Sequence, residues 1–244
     1  MSILASEPRT EPAVNHFAIT LLALSISIPP VLAAESPKPT PVEDKSIKLL
    51  QSLKGEATID PALNEKARVS VVFESAADDT LLRVYKDESI GALEIRDTKK
   101  LSERGFSTFK AIKNLQKLIL AGGGMSYVEA TRLSECKELH TLYVGGMKMT
   151  DNNIIGLKGL TRLKTLNLLD APVTDKSIET ILKFTELEEL NLSGTNVTDA
   201  GAKKLLALKK LKILQLNNTK VTREGVDAMT DELKKDRRDL IVRW

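Results

Sequence analysis

Leu115, Leu139, Leu163, Leu187 and Leu211 are spaced 24 residues apart without exception. Each opens the same frame. The fourth position is Leu118, Leu142, Leu166, Leu190 and Leu214, and the sixth is Leu120, Val144, Leu168, Leu192 and Leu216. An earlier unit, Ile90-x-x-Leu93-x-Ile95, reaches Leu115 after 25 residues, and a degenerate one surrounds Val69, Val71 and Phe73. A fixed period of this size means stacked copies of one supersecondary unit, none of which can bury its apolar face alone.

Within a unit, apolar residues at positions 4 and 6 predict a short half-buried strand. Positions 19 and 22 (Leu133/Cys136, Leu157/Leu160, Ile181/Phe184, Leu205/Leu208) are spaced for one helix face. Position 12 is Ser126, Thr150, Thr174, Thr198 and Thr222, hydroxyls suited to cap helix amides. Ser126-x-x-Glu129 reads as a capping box, and Asp151, Asp175 and Asp199 place a favourable charge at the helix start. Gly122-Gly123-Gly124 falls at positions 8 to 10, where a strand exits into a turn. Strands repeat every 4.8 Å or so, whereas helices with side chains are roughly 10 Å wide. The helical side therefore splays outward, and the strands line the concave side.

These units resemble the leucine-rich repeat family in its 24-residue bacterial form, L-x-x-L-x-L-x-x-T-x-V-T-D-x-G-x-x-x-L-x-x-L. The unit LEELNLSGTNVTDAGAKKLLALKK matches that pattern almost completely, and the resemblance covers about residues 90 to 233. It implies an α/β leucine-rich repeat solenoid, a curved right-handed horseshoe with parallel strands inside and helices outside. The ninth position departs from the commoner repeat, with Gly123, Met147, Ala171, Thr195 and Thr219 where Asn or Cys is usual. A buried asparagine ladder is therefore not expected.

The flanks read differently. From Phe17 the apolar run FAITLLALSISI is 12 residues long and leads through Pro29 and Pro30 to Val31-Leu32-Ala33-Ala34. It is too short for a membrane span of about 20 residues and has the shape of an export signal. Residues 1 to 34 are read as a signal peptide cleaved after Ala33 or Ala34, with an uncleaved amino-terminal anchor as the alternative. Residues 35 to 45 read as a proline-rich linker, 46 to 89 as an amino-terminal cap with a degenerate repeat, 90 to 233 as the repeats, and 234 to 244 as a carboxy-terminal cap. Export makes the mature chain a periplasmic or secreted protein without membrane insertion, and a monomer is expected.

Composition removes several functions. A net charge of +3 in 244 residues, with aromatics at 4%, gives neither a basic field nor stacking rings for nucleic acid. The cluster Lys234, Lys235, Arg237 and Arg238 alternates with Asp231, Glu232, Asp236 and Asp239 and reads as a solvated cap. Cys136 sits where other units carry Leu160, Phe184 and Leu208, so it reads as core. His140 at position 2 reads as a solvated residue. No triad, phosphate loop, calcium loop or Cys/His zinc set is present in the pattern, so no cofactor, no metal and no catalysis are expected.

What remains is the outward face of the strands. Position 5 reads Glu94, Ile119, Tyr143, Asn167, Asn191 and Gln215; position 3 reads Lys117, Thr141, Thr165, Glu189 and Ile213; position 7 includes Leu169. Ile119, Thr141, Tyr143, Asn167, Leu169, Glu189, Asn191 and Gln215 are taken as the partner-binding set, with Tyr143 as anchor. The resemblance implies an interaction scaffold for a protein partner. Glycan or envelope-polymer binding, with Tyr143 as a stacking ring, and a purely structural envelope role stand as alternatives.

Overall fold

A computed structural model describes residues 37–236 and 239–244; the predicted signal peptide lies outside the described residues. The chain runs α1 (Pro41–Ser52), β1 (Glu56–Ile59), β2 (Val69–Phe73), α2 (Asp78–Val84), β3 (Ile90–Ile95), α3 (Glu103–Thr108), β4 (Lys117–Leu120), α4 (Tyr127–Leu133) and β5 (Thr141–Tyr143). It continues through α5 (Asp151–Gly156), β6 (Thr165–Asn167), α6 (Ile178–Ile181), β7 (Glu189–Asn191), α7 (Asp199–Lys204), β8 (Ile213–Gln215), α8 (Arg223–Lys235) and β9 (Ile241–Arg243). The nine strands form one sheet in sequence order, with β1 antiparallel to β2 and every later pair parallel. This is the solenoid that the 24-residue period predicts. The marginal unit at Val69, Val71 and Phe73 is a full strand of it, in parallel register with β3.

The register follows the repeat. Leu118, Leu142, Leu166, Leu190 and Leu214 pair rung by rung and are buried, as are the leucines at position 1 and the residues at position 6. Burying each such leucine contributes about 1.5 to 3 kcal/mol. Every strand from β4 to β8 then exits through a residue at position 8 in the left-handed region: Gly122, Gly146, Asp170, Gly194 and Asn218, with φ between 55° and 73°. Only Gly, Asn and Asp take that conformation routinely, which explains the residue choice. At position 9, Thr195 and Thr219 donate to the carbonyls of Leu192 and Leu216 at 2.6 and 2.7 Å, in place of an asparagine ladder.

The helix starts depart from the expected caps. Ser126 does form a capping box, its Oγ accepting from the Glu129 amide at 3.2 Å while the Glu129 carboxylate accepts from the Ser126 amide at 2.6 Å. The hydroxyls of Thr174, Thr198 and Thr222 instead donate, to Asp151, Asp175 and Asp199 of the preceding repeats, at 2.8, 2.6 and 2.8 Å. Their backbone amides donate to the same carboxylates at 2.8, 2.9 and 2.7 Å. Thr198 makes no side-chain cap to its own helix, although Thr174 and Thr222 still accept from Lys176 and Gly225. The aspartates thus join neighbouring repeats, a through-space role that the pattern of a single unit does not display.

The proline-rich stretch is shorter than the sequence predicts, because Pro41 is already the first residue of α1. Proline suits that position, having no amide to leave unpaired, and Thr40 with Glu43 completes a capping box. The buried Glu43 carboxylate accepts from Arg68 Nε and Nη2 at 2.9 and 2.8 Å, fastening α1 to the turn before β2. At the other end, residues 241–243 add a parallel strand to the sheet.

Candidate partner-binding surface

Strand pleating sends positions 3, 5 and 7 away from the core. The register puts position 5 in one continuous column, Val72, Glu94, Ile119, Tyr143, Asn167, Asn191, Gln215 and Arg243. Position 3 forms a second: Ser70, Ala92, Lys117, Thr141, Thr165, Glu189, Ile213 and Ile241. Seven of the eight residues singled out in the sequence fall on these columns. Leu169 lies beside them in the turn after β6, where a Cβ on Gly145 would come within 3.0 Å of its Cβ. The absence of a side chain at Gly145 makes room for Leu169 and for the Asn167 carboxamide.

Their exposure is uneven. Leu169 is 40% exposed, whereas Ile119, Thr141, Tyr143, Asn167, Glu189, Asn191 and Gln215 are half-buried. Burial, then the negative charge of Glu189, pushes the Tyr143 phenol above its ordinary pKa, so it presents a neutral O–H. Asn167 and Asn191 spend their carboxamide oxygens on the backbone amides of Leu169 and Ser193, both at 2.9 Å. Each amide plane is held in place, and what it offers a ligand is its NH2 donor pair. Arg243 and Ile241 were not singled out from the sequence, although the alternation in Leu240-Ile241-Val242-Arg243 is a strand signal.

The other chemistry-bearing residues sit elsewhere. Cys136 is buried, and desolvation pushes its thiol up to about 12. His140 is half-buried rather than fully solvated, and burial followed by the positive charge of Lys164 lowers its pKa. Gly122 and Gly123 form the strand-exit turn, with positive φ at both. Lys234 pairs with Asp231 at 3.1 Å, and Asp236 with Lys209 at 3.6 Å. Among the described residues no group of three or more His, Cys, Asp or Glu is placed to hold a metal, and no helix is long and apolar enough to cross a membrane. An open depression of about 500 Å3 lies on the helical side, lined by Ala200, Lys203, Leu206 and Glu232 among others.

A family model described as Leucine Rich repeat matches residues 185–206. Among curated proteins none is significantly similar in sequence. Similar solved structures include an internalin (inlF) of Listeria monocytogenes str. 4b F2365, 14% identical over 66% of this chain and 49% of that one, with a TM-score of 0.48. An internalin C2 (inlC2) of the same organism is 18% identical over 66% of this chain and 63% of its own, with a TM-score of 0.45. The plant peptide hormone receptor RGFR1, solved in complex with RGF2, is 19% identical over 57% of this chain and 22% of the receptor, with a TM-score of 0.39. This chain therefore spans about half of one internalin, under two thirds of the other and about a fifth of the receptor. The repeat frame, a sheet parallel from β2 to β9 with helical turns between those strands, and the match over residues 185–206 give the described residues the fold of a leucine-rich repeat solenoid.

Proposed function

We propose that this is an exported, non-catalytic interaction module that binds a protein partner through its concave face, with Tyr143 as the anchor. One observation carries the reading: Tyr143 stands in strand register between Ile119 and Asn167, with Leu169 exposed two residues beyond Asn167. An aromatic ring with an apolar neighbour and oriented amide donors is the composition of an interface centre. The leucine-rich repeat family is typically non-catalytic, and the only Cys of the chain is buried with a raised pKa. Export rests on the apolar run from Phe17 to Ile28.

The test is affinity capture from cell-envelope extract, with wild type beside a Tyr143→Asp, Asn167→Asp double variant checked for folding by circular dichroism. A partner retained by wild type and lost by the variant supports the reading. Identical captures from both baits refute it at this face and favour a structural role.

Glycan binding is the second reading, favoured by the fixed NH2 donors of Asn167 and Asn191 beside a half-buried phenol ring. A glycan-array signal that disappears in Tyr143→Ala, with no protein captured, is its signature.

A further inference from the structure

The charges of this surface divide into matched and unmatched. Glu188, at the rim, lies 2.5 Å from Lys212 and 4.0 Å from Lys164. Glu94 accepts from Arg96 at 2.9 Å, and Arg96 also pairs with Glu74. Two charges on the position-3 column are different: Lys117 on β4 and Glu189 on β7 have neither an ion-pair nor a side-chain hydrogen-bond partner among the described residues. Both are half-buried, and between them stand only Thr141 and Thr165. The adjoining column from Ile119 to Asn191 is neutral throughout.

We propose that the concave face takes an extended peptide segment that sets an acidic side chain against Lys117 and a basic side chain, four residues away, against Glu189. The proposal rests on the reading of this face as a protein-binding site and names the chemistry of the partner. Lys117 and Glu189 are three strand steps apart, about 14 Å at roughly 4.8 Å per step. An extended peptide advances about 3.3 Å per residue, so four residues span about 13 Å and bring side chains i and i+4 to the same side. Residue i+2 then falls over Thr141 and Thr165, alongside the column that holds Tyr143 and Asn167. Half-buried charges are screened less than exposed ones, so an opposite charge brought by a ligand interacts more strongly than in water. A polymer of neutral or acidic sugars has no cation for Glu189, which separates this occupant from a glycan.

The experiment selects a random nonapeptide display library on the full chain. The expected pool carries Asp or Glu and Lys or Arg at a separation of four, in one order. A charge-swapped variant, Lys117→Glu with Glu189→Lys, binds that pool about tenfold more weakly and selects the opposite order. The neutral variant Lys117→Gln with Glu189→Gln shows the loss without the reversal, and circular dichroism checks the fold of each. A pool that binds wild type and the charge-swapped variant equally overturns the proposal, as does a selection that returns no binder. In the first case, binding that is still lost in Tyr143→Asp leaves the concave-face reading standing, and binding that survives Tyr143→Asp removes both.

Discussion

Asp175 and Gly201 claim the same space across a repeat boundary: a Cβ on Gly201 would collide with the Asp175 Oδ1 that accepts from the Thr198 amide at 2.9 Å. The relationship recurs along the solenoid. Asp78 faces Gly105 and Asp199 faces Gly225, and where Asp151 precedes Ser177 the serine hydroxyl donates to it at 2.5 Å. Where the preceding repeat offers Glu103 or Tyr127 instead of aspartate, the facing residue is Glu129 or Asn153. Each of these accepts from the amide of its own Ser126 or Thr150 at 2.6 Å. Every helix start in this series is thus satisfied either by the previous repeat or by itself, and the residue facing the boundary reveals which.

This pairing reverses the usual effect of a helical Gly→Ala change, which gains up to about 1 kcal/mol. Gly201→Ala is expected to cost about 1 to 2 kcal/mol, because Asp175 must leave Thr198 to make room. In an Asp175→Ala background the same change becomes neutral or stabilising. Urea denaturation of the four proteins measures the coupling, and strict additivity would show that the two residues do not compete.

Left-handed turn positions separate backbone strain from collision. A Cβ on Gly146 meets nothing within 4 Å, so Gly146→Ala carries only the cost of φ at 73°, about 1 to 2 kcal/mol. Gly194 has a similar φ of 72°, but its Cβ would strike the Asp170 carboxylate, so Gly194→Ala should cost more. Thermal unfolding of the two variants side by side checks the order.

The Glu43–Arg68 pair predicts acid sensitivity at the amino-terminal end. Arg68's hydrogen bonds hold the Glu43 carboxyl at about 2, below its ordinary 4.5. A folded-state pKa below the unfolded one gives stability that is fully present above about pH 4.5 and is lost as pH falls toward 2. Glu43→Gln should cost about 2 kcal/mol at pH 7, less than the 3 to 5 kcal/mol of a fully buried pair, because Arg68 keeps 19% exposure. It should also flatten the pH dependence of unfolding within that window. A variant whose acid profile overlays wild type would remove the pair as its cause.

Cys136 should be inert in the folded protein. With its thiol pushed up to about 12 by burial, and secondarily by Glu135, the thiolate is scarce at pH 8. Relative to an ordinary thiol, that lowers the reactive fraction about a thousandfold. Iodoacetamide should label the chain only after denaturation, as read by mass spectrometry. Complete labelling of the native protein within minutes would contradict this placement.

The period carried most of the architecture, because a side chain's direction in a strand alternates regardless of what surrounds it. Leu118, Tyr143 and Asn191 could therefore be assigned to core or outward strand face from their positions alone, and Gly146 and Gly194 mark left-handed turns by residue type. The last strand was harder: Ile241 to Arg243 lies outside the 24-residue count and joins the sheet only because β8 leaves its edge open to it. Pro41 reads as linker in the sequence and is the start of a helix in the fold, since proline is at home in both. The repeat, its strand register and the side chains that face outward are all legible in the 24-residue period. That Asp175 serves Thr198 of the next repeat, that Glu188 is paired, and that Lys117 and Glu189 have no partner among the described residues emerge only from the folded chain. Those outcomes depend on where side-chain tips from different repeats meet in space, and a one-dimensional period does not encode those distances.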